Sequence, residues 1–168
     1  MTRRLTTICL MIVFVIGVGS PSVPAQSGEF SNATLKGIST VYVLVESLSN
    51  GAKGLGLSKD IIQTDAELKL RLAGIRVVTQ KESRTFKIPG SPHIYINVTS
   101  TDSAMAASIH VELGQNVQLE RNGEFAPGVT TWSTGYLFLN PNAQAIRDKI
   151  KDKVDEFLNA WLSVNPKK

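Results

Sequence analysis

The sequence contains almost no cysteine, and this scarcity narrows the chemistry that the chain can perform. Its single cysteine, Cys9, stands inside an apolar stretch near the start of the chain. One cysteine forms no internal disulfide and no thiolate metal cluster. We interpret Cys9 as a small hydrophobic residue of a targeting segment, so the folded body has to be stabilised by packing alone.

Motifs of common active sites are also absent. Glycines recur between Gly51 and Gly56, but neither Gly-Lys-Ser/Thr nor a GxGxxG order is present, which favours a flexible loop over a nucleotide site. GxSxG, HExxH and EF-hand sequences are missing as well. The sequence therefore predicts no catalytic residue, no cofactor and no metal ligand.

Only one long apolar run is present, over residues 5–19. Arg3 and Arg4 precede it and Val23-Pro24-Ala25 follows it, a pattern typical of a secretory signal, and the run is short for a bilayer span. We expect cleavage after Ala25 and a periplasmic or secreted protein with no membrane span; an uncleaved N-terminal anchor is the alternative. The predicted divisions are a signal peptide over 1–25, a flexible leader over 26–34 and one domain over 35–166.

The net charge of the chain is also small. The formal net charge is +4, and the loss of Arg3 and Arg4 with the signal lowers it to +2. So small a surplus argues against nucleic acid as a partner. We expect the partner to be an unknown protein or another component of the cell envelope.

The sequence does have regular alternation of apolar and polar residues, which predicts the element order β-α-β-β-β-β-α. The expected architecture is an α+β two-layer sandwich, in which both helices lie on one face of a largely antiparallel five-stranded sheet. Residues 81–92 are predicted as a polar loop. The strands are expected near 38–48, 76–79, 94–100, 109–119 and 130–139, and the helices over 58–73 and from Asn140-Pro141 onward.

The predicted helices carry apolar stripes that mark their buried sides. The first begins at Ser58 or Thr64, both possible N-caps, and Gly74 is expected as its left-handed C-cap. The second begins with Asn140 as N-cap and Pro141 in the first turn. The stripes are Ile61, Leu68, Leu72 and Ile75 in the first helix, and Ile146, Ile150, Val154, Phe157, Trp161 and Val164 in the second.

The strand near 109–119 alternates most clearly. Odd-numbered residues such as Ile109 and Val111 are apolar, and even-numbered residues such as His110 and Glu112 are polar. This pattern is typical of a sheet with one buried face and one solvated face. The length of the strand predicts a bend or bulge near Gly114.

Four aromatic residues are candidates for a partner-binding face. Tyr42 and Tyr95 are predicted on the sheet face away from the helices, and Trp132 and Tyr136 join them in one register of the last strand. In the other register Trp132 and Tyr136 belong to the core, and the sequence leaves both open. Large aromatic side chains on an uncovered sheet face would form a patch for a partner or ligand.

His110 and Glu112 point to the same side of one strand, about 6.5–7 Å apart along it. They are candidates for metal ligands or an acid–base pair, with His93, Asp102 or Glu46 as further groups. A solvated strand face explains the same pattern. A small exported hydrolase that uses His110 and Glu112 is therefore the alternative function.

Residues 70–78 (LRLAGIRVV) run from a helix end through glycine into a strand, like a turn found in small bacterial envelope domains. Together with residues 93–98 (HIYINV) and the C-terminal helix, they make the chain resemble an uncharacterised group of exported bacterial proteins. Its layout is similar to the N-terminal domain of TolB and to the lipoprotein LptE, although it lacks the lipobox cysteine of LptE. The resemblance carries over no functional residue.

The favoured function is a non-enzymatic binding or adaptor module of the bacterial cell envelope. An exposed sheet face or edge is the expected contact surface, because an edge strand accepts another strand through main-chain hydrogen bonds without a sequence motif.

Overall fold

The computed structural model describes residues 31–166, so the predicted signal peptide and residues 26–30 of the predicted leader lie outside the described residues. Within this range the chain forms one five-stranded sheet, which confirms the α+β class. The strands are β1 (Thr40–Val45), β2 (Arg76–Val77), β3 (His93–Ser100), β4 (Ala106–Gln118) and β5 (Phe125–Leu139). Their order across the sheet is β2-β1-β3-β4-β5.

Two long helices and two short ones connect and cover these strands within residues 50–164. They are α1 (Asn50–Gly54), α2 (Lys59–Ala73), α3 (Gln80–Thr85) and α4 (Ala143–Val164). Residues 31–33 are helical as well. Among residues 31–166, no helix combines the length and apolar character that crossing a membrane requires.

The sheet is mixed rather than largely antiparallel. β1 pairs in parallel with both β2 and β3, whereas β3 with β4 and β4 with β5 pair antiparallel. The parallel half follows from the connections, because helical segments separate β1 from β2 and β2 from β3. Such crossovers return the chain in the same direction. The antiparallel half consists of consecutive strands joined by short turns.

One face of the sheet, here called the covered face, shares a single core with α2 and α4. Trp132 lies edge-on to Phe157 of α4 at 5.4 Å between ring centroids, and Trp161 Nε1 donates to the Ile38 carbonyl at 2.7 Å. The side chains of the covered face are Val41, Val43, Val45, Ile94, Ile96, Val98, Ile109, Val111, Leu113 and Trp132.

The predicted stripe of α2 is wrong for Ile61, Leu68 and Leu72, whereas Ile75, beyond the helix end, is buried as predicted. Leu68 and Leu72 are 55% and 76% exposed, and the buried residues are Ile62, Ala66 and Leu70. The small side chain of Ala66 faces the core, and long-range ion pairs join α2 to α4 beside it. These pairs are Lys69 with Asp155 at 2.6 Å, Arg147 with Asp65 at 2.8 Å and Lys151 with Asp65 at 3.8 Å.

Three local predictions need correction. The polar loop expected over 81–92 begins with α3, because Thr79 and Glu82 form a reciprocal capping box. The glycine loop contains α1, capped by the Ser49 side chain. The N-cap of α4 is Asn142, whose side chain accepts from Ala145 N–H at 2.8 Å, because Asn140 adopts a positive φ of 48°.

Three other local features agree with the predictions made from the sequence. Ser58 is the N-cap position of α2, and Gly74 ends that helix with φ 97° in the left-handed region. The pairing of β4 with β5 shifts between Leu113 and Gly114, which confirms the irregularity expected there. β5 skips Thr131 at this point, since Leu113 pairs with Trp132 and Gly114 with Thr130.

Candidate functional site

The candidate site lies on the sheet face opposite α2 and α4, here called the open face. The strand registers place its side chains in rows across β1, β3, β4 and β5. Its charged residues are the carboxylates Glu46 and Glu112, and the set below includes no lysine or arginine. The open face comprises Tyr42, Leu44, Glu46, His93, Tyr95, Asn97, Thr99, Ser108, His110, Glu112, Gly114, Thr130, Ser133, Gly135, Leu137 and Leu139.

A hydrogen-bonded trio fixes the orientation of the side chains at the end of β1. Tyr95 Oη and Asn97 Nδ2 both donate to Glu46 Oε2. These bonds favour the charged carboxylate, so the Tyr95 hydroxyl first, and then the Asn97 amide, lower the pKa of Glu46. The bond to Glu46 is also the main reason that the pKa of Tyr95 is raised. The carboxylate is thus held ionised on an exposed strand surface.

Beside this trio the open face contains a depression of about 270 Å³, here called the polar pocket. Thr130 Oγ1 donates to Glu112 Oε2 at 2.8 Å within it, which holds the second carboxylate. The charge of Glu112 contributes to the raised pKa of Tyr95. The lining residues are Leu44, His93, Tyr95, Glu112, Gly114, Gly128 and Thr130.

His93 forms one wall of the polar pocket. Its ring stacks on Tyr42 with centroids 4.9 Å apart and planes inclined by 15°. Burial disfavours the imidazolium and lowers the pKa of His93, while a contact of 3.4 Å between Nδ1 and the Ser91 carbonyl opposes that shift. The Ser91 hydroxyl lies 3.2 Å from that of Ser83 in α3. This contact joins α3 to the segment that precedes His93.

The structure separates the four aromatic candidates. Tyr42 and Tyr95 lie on the open face, but Tyr42 is only 8% exposed and stacks on His93. Trp132 lies against Phe157, and Lys149 Nζ of α4 stands 5.0 Å from the centroid of the Tyr136 ring. Trp132 and Tyr136 therefore lie on the side of α4, but only Trp132 belongs to the core, at 7% exposed, whereas Tyr136 is 45% exposed. The open face keeps two of the four candidates.

His110 and Glu112 share the open face, but the structure does not join them. His110 is exposed and lies opposite Gly135, whereas Glu112 is partly buried and bonded to Thr130. The polar pocket instead brings Glu112 together with His93 and Tyr95. Among residues 31–166, no group of three or more His, Cys, Asp or Glu side chains is arranged to hold a metal ion.

The other end of the open face is apolar. Leu137 and Leu139 are 67% and 78% exposed, and Met105 in the turn between β3 and β4 is 64% exposed. A depression of about 310 Å³ adjoins Leu137, here called the apolar pocket. It is lined by Thr99, Ser100, Thr101, Ala106, Ala107, Ser108 and Leu137.

Sequence reasoning named His93 as a possible further group for His110 and Glu112, but it did not identify Thr130. The alternation of β3 and β4 placed His93 and Glu112 near strand surfaces, but pairing His93 with Gly114 requires the register. Thr130 reaches Glu112 only because β5 omits Thr131 from the ladder. Chemically, the site offers two fixed carboxylate acceptors, a hydroxyl and an imidazole, beside aromatic surface.

Comparisons with known proteins identify no relative: no family model, no curated protein and no solved structure matches the chain. The resemblance to TolB and LptE thus stays a prediction.

Proposed function

We propose that this protein is an exported, non-enzymatic binding or adaptor module of the bacterial cell envelope that meets its partner through the open face. The observation that carries the proposal is the polar pocket, where internal hydrogen bonds already hold Tyr95 and Glu112, together with Glu46 beside it, which accepts from Tyr95. Side chains ordered before binding lose less conformational entropy when a partner arrives. The signal-like pattern of residues 1–25 supports a periplasmic or secreted location.

The charges of the open face suggest the chemistry of the partner. The side chains of the open face include the carboxylates Glu46 and Glu112 but no lysine or arginine, so a partner that presents a cation or several N–H donors is favoured there. The apolar pocket, next to Leu137, offers contact to a hydrophobic group at the other end. Such a combination of polar and apolar ends suits a protein surface or a peptide.

A small hydrolase that uses His110 and Glu112 remains the alternative proposal. A general base has to come within roughly 2.6–3.2 Å of the group that it deprotonates. The arrangement of His110, which faces solvent, and of Glu112, which is bonded to Thr130, gives this alternative less support than the binding role. It predicts ester or amide hydrolysis that is lost in both His110→Ala and Glu112→Gln.

The test is site-specific photo-crosslinking in intact cells. A benzophenone amino acid at His110, on the open face, is expected to capture a defined partner. The same probe at Asn159, which is exposed on α4, is the matched control and is expected to capture none.

Second-site substitutions then locate the contact. Tyr95→Ala and Glu112→Gln are expected to abolish the crosslink from position 110, and Glu120→Gln, an exposed residue beyond the end of β4, is expected to preserve it. Equal crosslinking by all three variants, or by the probes at 110 and 159, would contradict the proposal.

A further inference from the structure

Besides the open face, the outer edge of β5 is a second candidate for a contact surface. β5 is the last strand of the sheet, and within residues 31–166 no strand pairs with its outer side. Natural edge strands are usually protected by charged side chains, prolines, bulges or short length. β5 is one of the longest elements, at 15 residues, and residues 125–139 include no charged side chain. Charge therefore does not protect this edge.

The two halves of β5 differ in the other features that protect an edge strand from pairing with another strand. The first half contains Pro127 and Gly128, two irregularities of its pairing with β4, and a contact of 3.4 Å from the Thr34 hydroxyl to the Thr131 carbonyl. The second half, residues 132–139, pairs with β4 without interruption and ends at Asn140, where φ is 48°. Only the second half is a regular template for another strand.

We propose that residues 133–139 of β5 pair antiparallel with the same residues of a second copy of this chain, with the two-fold axis at Tyr136. This register keeps each open-face residue opposite another open-face residue. It places Leu137 opposite Gly135 of the second copy and Leu139 opposite Ser133 of the second copy. A large side chain of one copy thus lies against a small side chain of the other on both sides of the axis. The edge strand is therefore complementary in shape to a second copy of itself that runs in the opposite direction.

The α4 side of the same edge is also compatible with a two-fold axis. Tyr136 lies directly opposite its copy, and the ammonium groups of Lys149 and Lys153 stand 5.0 and 5.9 Å from its ring centroid. Each cation has its own carboxylate at 2.8 Å, Asp152 for Lys149 and Glu156 for Lys153. The groups that approach across the axis are therefore locally neutral, which limits like-charge repulsion.

The dimer has a consequence for binding that goes beyond the proposed function. Two sheets would join into one layer, and their open faces would lie side by side. Each dimer would present two polar pockets and could engage a repetitive or dimeric partner with avidity. Self-association is independent of the open-face contact, because Tyr95 and Glu112 lie on strands inside the sheet.

The first test is sedimentation of the purified protein over a range of concentrations. The wild type is expected to form a dimer reversibly, and Leu137→Lys to raise the dissociation constant by about tenfold or more, because a charge on an edge strand opposes pairing. Leu72→Lys is the matched control, since Leu72 on α2 is 76% exposed and Leu137 is 67% exposed. A wild type that stays monomeric up to millimolar concentration, or equal constants for the wild type and Leu137→Lys, would overturn the proposal.

The second test fixes the register by disulfide formation in a Cys9→Ser background. Tyr136→Cys is expected to crosslink with its copy, because directly opposed residues have Cβ atoms about 4.5–5.5 Å apart. Ser133→Cys is expected to stay reduced, since the two copies of residue 133 would lie roughly 20 Å apart along the strands. Crosslinking at 133 but not at 136 would overturn this register.

Discussion

The two faces of the sheet come from the same strands but are stabilised in different ways. On the covered face, Ile109, Val111 and Leu113 of β4 are fully buried against the helices. On the open face the alternate residues, including His110 and Glu112, contact solvent or other polar side chains. Burial of apolar surface stabilises the fold, whereas hydrogen bonds between side chains order the open face for recognition. Substitutions on the two faces should therefore separate stability from binding.

The largest difference between the faces is expected from truncation of a core aromatic residue. Phe157 has no exposed surface, so Phe157→Ala should lower the free energy of unfolding by about 3–5 kcal/mol. His110→Ala, on the open face, should change it by less than about 0.5 kcal/mol. Urea denaturation of both variants checks the comparison. Similar losses would show that the open face also carries much of the stability.

Gly114 is an exception to the expectation that substitutions on the open face have little effect on stability. A Cβ atom at Gly114 would stand 2.5 Å from Cε1 and Nε2 of the His93 ring, so Gly114→Ala should cost about 1–3 kcal/mol. Combination with His93→Ser should recover much of this loss. Gly54→Ala is the control, because a Cβ atom at Gly54 has no neighbour within 4 Å. Simple additivity of the two losses would contradict the proposed steric conflict.

The pH dependence of stability tests the burial of His93. Because burial lowers the pKa of His93, the unfolded state binds the proton more readily, and its pKa is about 6.5. The contribution is present above that value and is lost as pH falls below it, with a slope of at most about 1.4 kcal/mol per pH unit. His93→Gln should flatten this part of the profile, measured by urea denaturation from about one pH unit above the ordinary His pKa to about one and a half units below it. If His93→Gln left the slope of unfolding free energy against pH unchanged, the attribution of this pH dependence to His93 would be contradicted.

The smallest effect is expected within the hydrogen-bonded trio. Glu46→Gln removes the negatively charged acceptor that raises the pKa of Tyr95, so this pKa should fall towards its ordinary value. Ultraviolet titration of the tyrosines measures the change, and Glu120→Gln is the control. Because Glu46 lies at the surface, the urea midpoint should stay close to that of the wild type. An unaltered tyrosine titration would argue against the bond.

The strands were the predictable part of the fold, because period-two alternation depends on local sequence. Ile94, Ile96 and Val98 are buried as their spacing indicated, and Gly114 marks a shift in register. The stripe of α2 was not predictable, since the preference for Ala66 over Leu68 depends on a helix far along the chain. α3 could have been recognised from the capping box of Thr79 and Glu82.

Contacts between residues far apart in the sequence account for the features that local sequence patterns did not predict. A Cβ atom at Gly51 would overlap the Thr101 carbonyl, so this glycine allows close approach of α1 to the turn after β3 and does not indicate a flexible loop. The polar pocket likewise needs the registers of several strands at once. Sequence reasoning placed Tyr95 and Glu112 on one surface, but it could not place His93 and Thr130 beside them.

The position of β1 between β2 and β3 has a consequence for the order of folding. Both of its neighbours, β2 and β3, follow it only after intervening helical segments, whereas β3, β4 and β5 pair with their neighbours along the chain. Closing long loops is slow compared with forming hairpins. We therefore expect the hairpins of β3, β4 and β5 to acquire protected amides first in pulse-labelling hydrogen exchange, and β1 to enter the sheet late in refolding.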